Sequence, residues 1–356
     1  LDDKPMATTG PEILAGEPEE QYNGVTSGVV QVLSNSDGFS WIEVGRVGPT
    51  VPDAGMRFGD VITVEGSQAL IGARPDYPAP VWEHYVFEET APGAWSERVR
   101  LVGEAGHVLG GLSAIYGETI VISGREYLPY GRGEVSIFER IGSSWLLRQR
   151  LVSDEAGDCF GSGPLAVAED VLVVGAGCAI VAGADTGAAY VYVKRATGDW
   201  EVAQKLVPLP LGMDQAGYVN GTESLAASDN LIVAGSPCDW ALGPAETCAG
   251  AAYVYRRVAE DEWVQEAKLL PPFDGPTPPY GAQFGHSVAI SGSLVYVCEN
   301  QGRWETGESG SCWVFRDSGG GDWQPLARLI PEDPFANLEF GEWIDLEGGT
   351  FLSLAY

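Results

Sequence analysis

The sequence has few basic residues. Its 20 Lys and Arg residues stand against 50 Asp and Glu residues, which gives a formal net charge of −30 and a pI near 4.2. Such a surface repels the phosphates of nucleic acids and anionic lipids, because binding them takes clustered basic side chains. We therefore expect no nucleic-acid partner. The acidic excess is interpreted as a solvated coat, with a basic partner or a cation as the alternative.

Long apolar runs are also missing. No segment approaches the roughly 20 consecutive apolar residues that a membrane-spanning helix needs, although 45% of the residues are hydrophobic. We therefore expect no membrane insertion.

Residues 1–25 are rich in Pro, Glu, Asp and Gly without a period, which predicts an extended acidic tail or linker. Residues 26–356 are predicted to form a single domain.

Familiar catalytic and metal-binding motifs are missing as well. The sequence has no HExxH, no GxSxG and no CxxC, and its only histidines are His84, His107 and His286. His84 starts a predicted strand, where a packing role is expected. His286 occupies a variable position from which it could reach a central channel. The scattered acids define no pair of carboxylates, so the sequence predicts no catalytic residue, no cofactor and no bound metal.

What the sequence does contain is a repeat. Its clearest copy, residues 158–208, has Phe160-Gly161, an apolar run ending in Gly-Ala, then Gly187-Ala-Ala-Tyr-Val-Tyr192, and finally Trp200 before Gln-Lys-Leu206. These pieces predict four short strands in one antiparallel sheet, which cannot bury both of its faces alone. One position of successive copies is marked by the residues Trp41, Trp95, Trp145, Trp200, Trp263 and Trp323.

A four-stranded unit that recurs every 50 to 63 residues is typical of a propeller blade, because radial packing buries both faces of each sheet. The chain starts with the second half of a repeat and ends with a first half. We therefore expect residues 340–356 to pair with residues 27–48, with the strand near Leu352 beside the strand near Val30. The sequence predicts an all-β, six-bladed β-propeller of four-stranded antiparallel blades, closed by these half-blades; seven blades are the alternative.

The repeat resembles the FG-GAP family, which includes the integrin α-subunit propellers and many secreted bacterial proteins. The resemblance rests on the Phe-Gly, Gly-Ala, Gly-Ala-Ala-Tyr and Gln-Lys-Leu pieces and covers roughly residues 27–356. It implies a propeller fold. Calcium-binding members carry an Asp-x-Asp-x-Asp-Gly loop between the first two strands of a blade. This chain has tight turns there, such as those at Asp170 and Asp229, so the calcium site is not carried over.

The six cysteines form three pairs that are close in sequence. Six cysteines allow 15 pairings, but the predicted strands bring together the ends that carry Cys159 and Cys178, Cys238 and Cys248, and Cys298 and Cys312. Three disulfides would indicate an oxidising compartment. Since the chain begins at Leu1 without a signal peptide, it is interpreted as a mature secreted or cell-surface protein. Asn220 lies in a glycosylation sequon.

Aromatic residues in the predicted loops between second and third strands suggest a function. They are Tyr77, Trp82, Tyr127, Tyr130, Trp240 and Trp304. Exposed aromatic rings stack on sugars or anchor protein partners, although they also fold over blade edges as packing. The sequence therefore predicts a non-catalytic recognition or adhesion module that binds an extracellular glycan or protein. The alternative is a carbohydrate-active enzyme, a polysaccharide lyase or glycosidase, acting in a central pocket near His286 and Trp343.

Overall fold

The computed structural model is built from β-strands. Every helix or strand among its described residues is a strand, and these strands form six four-stranded and four two-stranded sheets. Two compact units are formed, the first by residues 1–151 with 345–352 and the second by residues 152–344 with 353–356. The described residues are 5–35, 40–75, 81–126, 132–155, 157–181, 184–185, 187–207, 225–237, 249–272, 281–301, 303–304, 307–308, 310–331, 340–347 and 350–353.

The first sheet is formed entirely by the N-terminal part of the chain, in the order β1-β2-β5-β6, with a small hairpin of β3 and β4 between its second and third strands. The strands are β1 (Met6–Thr8), β2 (Glu12–Glu17), β3 (Gln21–Tyr22), β4 (Val25–Thr26), β5 (Val29–Ser34) and β6 (Ile42–Val47).

The predictions of an N-terminal tail and of a closing strand beside Val30 are therefore wrong. Val30 pairs with Gly16 on one side and with Val47 on the other. The strand β2 thus occupies the place predicted for the strand near Leu352. It does so because its short apolar segment, which includes the fully buried Leu14, removes more apolar surface from water than a solvated tail would.

Two further four-stranded sheets complete most of the first unit. A core of leucine, isoleucine and valine side chains, with Trp145, packs between them. The strands are β7 (Phe58–Glu65), β8 (Gln68–Ala73), β9 (Glu83–Ala91), β10 (Ala94–Leu101), β11 (His107–Tyr116), β12 (Thr119–Glu126), β13 (Gly133–Ile141) and β14 (Ser144–Val152).

The second unit has three four-stranded sheets and two small hairpins. Its cores lie between successive sheets and include Trp263 and Trp323. The strands are β15 (Phe160–Val167), β16 (Val171–Ala176), β17 (Ile180–Val181), β18 (Ala184–Asp185), β19 (Ala188–Lys194), β20 (Trp200–Leu206), β21 (Leu225–Ala227), β22 (Leu231–Ser236), β23 (Ala251–Ala259), β24 (Glu262–Leu269), β25 (Ser287–Ser291), β26 (Leu294–Glu299), β27 (Arg303–Trp304), β28 (Gly307–Glu308), β29 (Ser311–Asp317) and β30 (Trp323–Leu329).

The last two strands, β31 (Ile344–Glu347) and β32 (Thr350–Ser353), form a two-stranded sheet of their own. The backbone N–H of Thr8 donates a hydrogen bond to Oδ2 of Asp345 at 2.7 Å, and the Thr350 hydroxyl donates to the Gly10 carbonyl at 2.9 Å. Among the described residues, the two terminal segments therefore meet in the first unit through hydrogen bonds that involve side chains, and they do not share one sheet.

The Phe-Gly pairs make one contact that recurs between successive sheets. The N–H of Phe58 donates to Ser27 and that of Phe284 to Ala249, at 2.8 and 3.0 Å, and both acceptors precede a glycine. A Cβ atom on that glycine would lie only 2.0 to 2.2 Å from the phenylalanine carbonyl oxygen of the next repeat, and φ is positive at each. Glycine is therefore required there; the positions are Gly28, Gly250 and Gly310.

A cation–π contact between third and fourth strands explains the basic residue of the Gln-Lys-Leu piece. The Nζ atom of Lys205 lies 5.2 Å from the Tyr190 ring centroid, and Lys268 lies at the same distance from Tyr253. Each pair is directly opposed in its ladder, so the lysine chain covers the ring while its ammonium group stays near water.

Two predicted disulfides are present, Cys159–Cys178 and Cys298–Cys312. They indicate an oxidising environment. Cys238, Cys248 and Asn220 lie outside the described residues.

The contact between Phe58 and Gly28 is testable by substitution. Gly28→Ala should lower the free energy of unfolding by at least about 3 kcal/mol, because it adds a steric clash to the strain of a positive φ. Gly24→Ala is the matched control, since its φ is also positive, +81°, but nothing lies within 4 Å of the added Cβ. It should lose only about 1 kcal/mol. Equal losses in urea unfolding would contradict the close-contact explanation.

The buried carboxyl of Asp345 should make the stability of the protein depend on pH. Burial raises the pKa of its carboxyl to about 6, against hydrogen bonds from the backbone of Thr8 and Leu346. The folded protein then binds more protons than the unfolded chain between pH 4 and 6, so this group lowers the free energy of unfolding as pH rises, by at most about 3 kcal/mol. Asp345→Asn should gain stability relative to the parent protein between pH 4.5 and 7.5. A pH-independent difference in urea unfolding would refute this.

Candidate functional site

Most of the six predicted aromatic residues lie outside the part of the chain that the structure describes. Tyr77, Tyr127, Tyr130 and Trp240 lie outside the described residues, and Trp304 is described only through the backbone of β27. Trp82 is the one whose side chain can be followed.

Trp82 is half-buried and serves as a packing residue. Its ring stacks with His84 at 6.2 Å between centroids, and Arg74 lies 5.7 Å from the ring. A Cβ atom on Gly111 would lie 2.5 Å from the indole, so the ring rests on the backbone of the next sheet, against the core of the first unit. This is the blade-edge packing that was the alternative to a ligand contact.

The three histidines occupy three different environments. His84 is fully buried, and its Nε2 lies 2.8 Å from the Gly110 carbonyl oxygen. Desolvation lowers the pKa of its imidazole to about 4, against that hydrogen bond. His84 is therefore a neutral packing residue at physiological pH, as the sequence predicts.

His107 makes a pair with a buried carboxylate. Its Nδ1 lies 2.7 Å from Oε2 of Glu134, whose side chain is only 1% exposed, and Arg150 lies 3.9 Å from the other carboxylate oxygen. Because Glu134 is inaccessible, it cannot touch a ligand directly. Its role here is to orient His107 and to compensate the charge of Arg150.

The third histidine belongs to a cluster in the second unit. His286 and Glu342 each follow a Phe-Gly pair, at 284–285 and 340–341, so both occupy the same position in successive repeats. His286 Nε2 lies 3.0 Å from Glu342 Oε2, and the Asn300 amide donates to the same oxygen. We call His286, Asn300 and Glu342 the carboxylate cluster.

Exposure distinguishes this cluster from the His107 pair. The Glu342 side chain is 32% exposed, whereas the His286 side chain is 19% exposed and Asn300 is buried. The hydrogen bond from His286 lowers the pKa of the Glu342 carboxyl, with burial opposing it and Asn300 reinforcing it. The result is an ionised carboxylate that two neighbours hold in place and that solvent can reach.

Such a carboxylate can act as a general base, as a nucleophile or as an acceptor for sugar hydroxyls. Sequence reasoning identified His286 but missed Glu342 and Asn300. The usable signal was the shared position after Phe-Gly, where two successive repeats carry an imidazole and a carboxylate, which can form a hydrogen bond. Asn300 gave no signal, because it lies in a loop after β26 and is brought in only by the fold.

The described part of the chain shows no cluster of three or more His, Cys, Asp and Glu residues fit to hold a metal ion. Within the same residues, no helix is long and apolar enough to cross a membrane.

Comparison with known proteins gives matches in structure alone. No protein-family model matches the sequence, and no curated protein is similar to it in sequence. A Bacteroides uniformis protein described as a "putative 6-phosphogluconolactonase" matches with a TM-score of 0.53 and 9% identity, over 92% of this chain and 84% of that chain. A Bacteroides fragilis protein of the same description matches with a TM-score of 0.52 and 10% identity, over 93% and 84%.

A third structure, a "hypothetical selenium-binding protein" from Sulfolobus tokodaii, has a TM-score of 0.52 and 11% identity, over 90% of this chain and 76% of that chain. The prediction of a non-catalytic adhesion module is contradicted by these neighbours, two of which are described as enzymes; the alternative interpretation, an enzyme, fits them better. Identities this low show the fold and not the reaction. Together with the sheets described above, they show that the chain has a β-propeller fold.

Proposed function

We propose that the protein is an enzyme that acts on a carbohydrate-derived substrate, with Glu342 as its general base. The observation that carries the proposal is the carboxylate cluster, in which an ionised, solvent-reaching carboxylate is held by His286 and Asn300. A base fixed in this way meets the geometric requirement for proton transfer better than a mobile surface acid does.

The reaction class we propose is hydrolysis of a sugar lactone. Glu342 takes a proton from water as the water oxygen attacks the lactone carbonyl carbon. The ring C–O bond then breaks, and the proton passes from Glu342 to the leaving alkoxide, which yields the open hydroxy acid. His286 and Asn300 keep Glu342 ionised and correctly oriented. The description of two structural neighbours as lactonases supports this class, since it needs one base and no second carboxylate.

The charge of the protein bears on which lactone is bound. With a formal net charge of −30, the chain repels a phosphorylated sugar over a distance of about 10 Å at moderate salt. An uncharged sugar lactone is therefore the substrate we favour over the phosphorylated one in the neighbours' descriptions.

We also propose that the repeat is of the FG-GAP type and that the protein works outside the cytoplasm. Support for the first comes from the Phe-Gly pairs, whose contacts with glycines of the preceding sheet give the motif a structural reason. Support for the second comes from the two disulfides.

Lactone hydrolysis can be followed directly by acid release. Gluconolactone should be opened faster than the spontaneous rate, and Glu342→Gln should reduce kcat/KM by about 100-fold or more, because the amide cannot accept the proton. The control is Glu262→Gln, the same chemical change at an exposed position of β24. Loss of activity in both variants, or in neither, would remove Glu342 from the reaction. Phosphorylated lactones, aryl glycosides and polysaccharides serve as competing substrate classes.

The acid limb of the activity profile gives a second prediction. Because Glu342 must be ionised, activity should rise with pH through its pKa. The hydrogen bond from His286 is the largest cause that lowers this pKa, so His286→Ala should move the acid limb to higher pH. His286→Gln keeps a donor and should move it less. An unchanged acid limb in His286→Ala would show that Glu342 is not the titrating base.

A further inference from the structure

The Cys298–Cys312 disulfide lies directly beneath the carboxylate cluster. It joins two residues that oppose each other in the ladder of β26 and β29, and both are fully buried. Because these strands already pair along their length, the bond adds little to their alignment. What distinguishes its position is its contact with the backbone of the cluster.

His286 is attached to this disulfide through its backbone. The Cys298 carbonyl oxygen accepts hydrogen bonds from the N–H groups of Gly285 and His286, at 2.9 and 3.1 Å. The start of β25, and with it the direction of the imidazole, is therefore tied to the end of β26.

Glu342 is attached through the neighbouring glycine. A Cβ atom on Gly341 would lie 2.7 Å from Cβ of Cys298 and 3.2 Å from Sγ of Cys312. The backbone that leads into Glu342 thus rests on the disulfide itself. The Ser287 hydroxyl, which is fully buried, also donates to the Gly341 carbonyl at 2.7 Å, which joins the two Phe-Gly segments to each other.

Asn300 follows the disulfide by two residues, and a buried polar group fixes the intervening position. Glu299 is fully buried and accepts a 2.5 Å hydrogen bond from the Ser311 hydroxyl, which in turn accepts one from Nε of Arg328 at 3.1 Å. Glu299 and Ser311 are the residues next to the two cysteines. The segment that carries Asn300 is therefore held by the covalent bond and by this relay together.

We propose that Cys298 and Cys312 are positioning residues, whose disulfide sets the distance between Glu342 and the donors His286 and Asn300. All three members of the carboxylate cluster are linked to the bond through at most two residues. Only the catalytic consequence rests on the proposed function; the positioning role does not.

The second disulfide of the same unit provides a matched control. Cys159–Cys178 spans 19 residues and Cys298–Cys312 spans 14, so their chain-entropy contributions to stability are similar. Cys178 is exposed. Removing either disulfide should reduce stability to a comparable extent, but only the removal of Cys298–Cys312 should disturb the carboxylate cluster.

The test compares Cys298→Ala/Cys312→Ala with Cys159→Ala/Cys178→Ala by the NMR chemical shifts of the histidine ring protons, recorded at one pH. The chain has three histidines, and His286→Gln assigns the resonance of interest. In the first variant the ring-proton chemical shifts of His286 should change, because its hydrogen bond to Glu342 is disturbed, while those of His107 stay unchanged as an internal reference. In the second variant the His286 chemical shifts should equal those of the parent protein. Equal changes in both variants, or none in either, would overturn the proposal.

A second variant, Cys298→Ala/Cys312→Val, replaces part of the lost side-chain volume. It therefore separates the loss of the covalent bond from the loss of packing at this buried position. It should show the same change in the His286 chemical shifts if the covalent bond matters; parental chemical shifts there would show that packing alone positions the cluster and would overturn the proposal. If lactone hydrolysis is detected, kcat should fall roughly tenfold in the first variant relative to the control variant, with KM little changed. A shifted His286 without any lactonase activity would support the positioning role and refute the proposed reaction.

Discussion

The fold depends on a contact that leaves no room for a side chain. Where Phe58 and Phe284 meet the preceding sheet, a Cβ atom on the facing glycine would lie only 2.1 to 2.2 Å from their carbonyl oxygens. The phenylalanine rings are fully buried there, so the contact combines apolar burial with a short backbone approach. Within each unit, such a contact holds the start of one repeat against the sheet before it. The glycine and the phenylalanine belong to different repeats. The motif therefore forms this contact only when two repeats pack against each other.

The same contact fixes the backbone at the proposed site. The backbone of Phe-Gly is held in place by this contact. The side chain of the next residue therefore projects from a fixed position in each repeat. His286 and Glu342 both occupy this position, and their side chains meet at 3.0 Å where the Ser287 hydroxyl joins the two segments through the Gly341 carbonyl. A rigid repeat with one variable position suits a binding or catalytic site, because substitutions at that position leave the apolar core unchanged.

The sequence predicted what is periodic and missed what is not. Trp200 and Trp263 mark buried positions of the repeat, and the strand pattern around them predicted the sheets of the second unit. It failed at Glu12–Glu17, where acidic and glycine residues flank a short apolar segment, so composition suggested a tail while burial of Leu14 decided the outcome. It also could not join Asn300 to Glu342, because that contact spans 42 residues and depends on the path of a loop.

Two histidine–carboxylate pairs in this chain illustrate how exposure assigns roles. In the pair of His107 and Glu134 the carboxylate is 1% exposed and the imidazole 32%, whereas in the pair of His286 and Glu342 the imidazole is 19% exposed and the carboxylate 32%. The imidazole is therefore the more exposed group in the first pair, and the carboxylate is the more exposed group in the second. The almost fully buried carboxylate of Glu134 orients the imidazole beside it, whereas the hydrogen bond from the partly buried His286 lowers the pKa of the more exposed Glu342 carboxyl. The second arrangement exposes the carboxylate more than the imidazole, which is the reason for proposing Glu342, and not one of the more numerous surface acids, as the base.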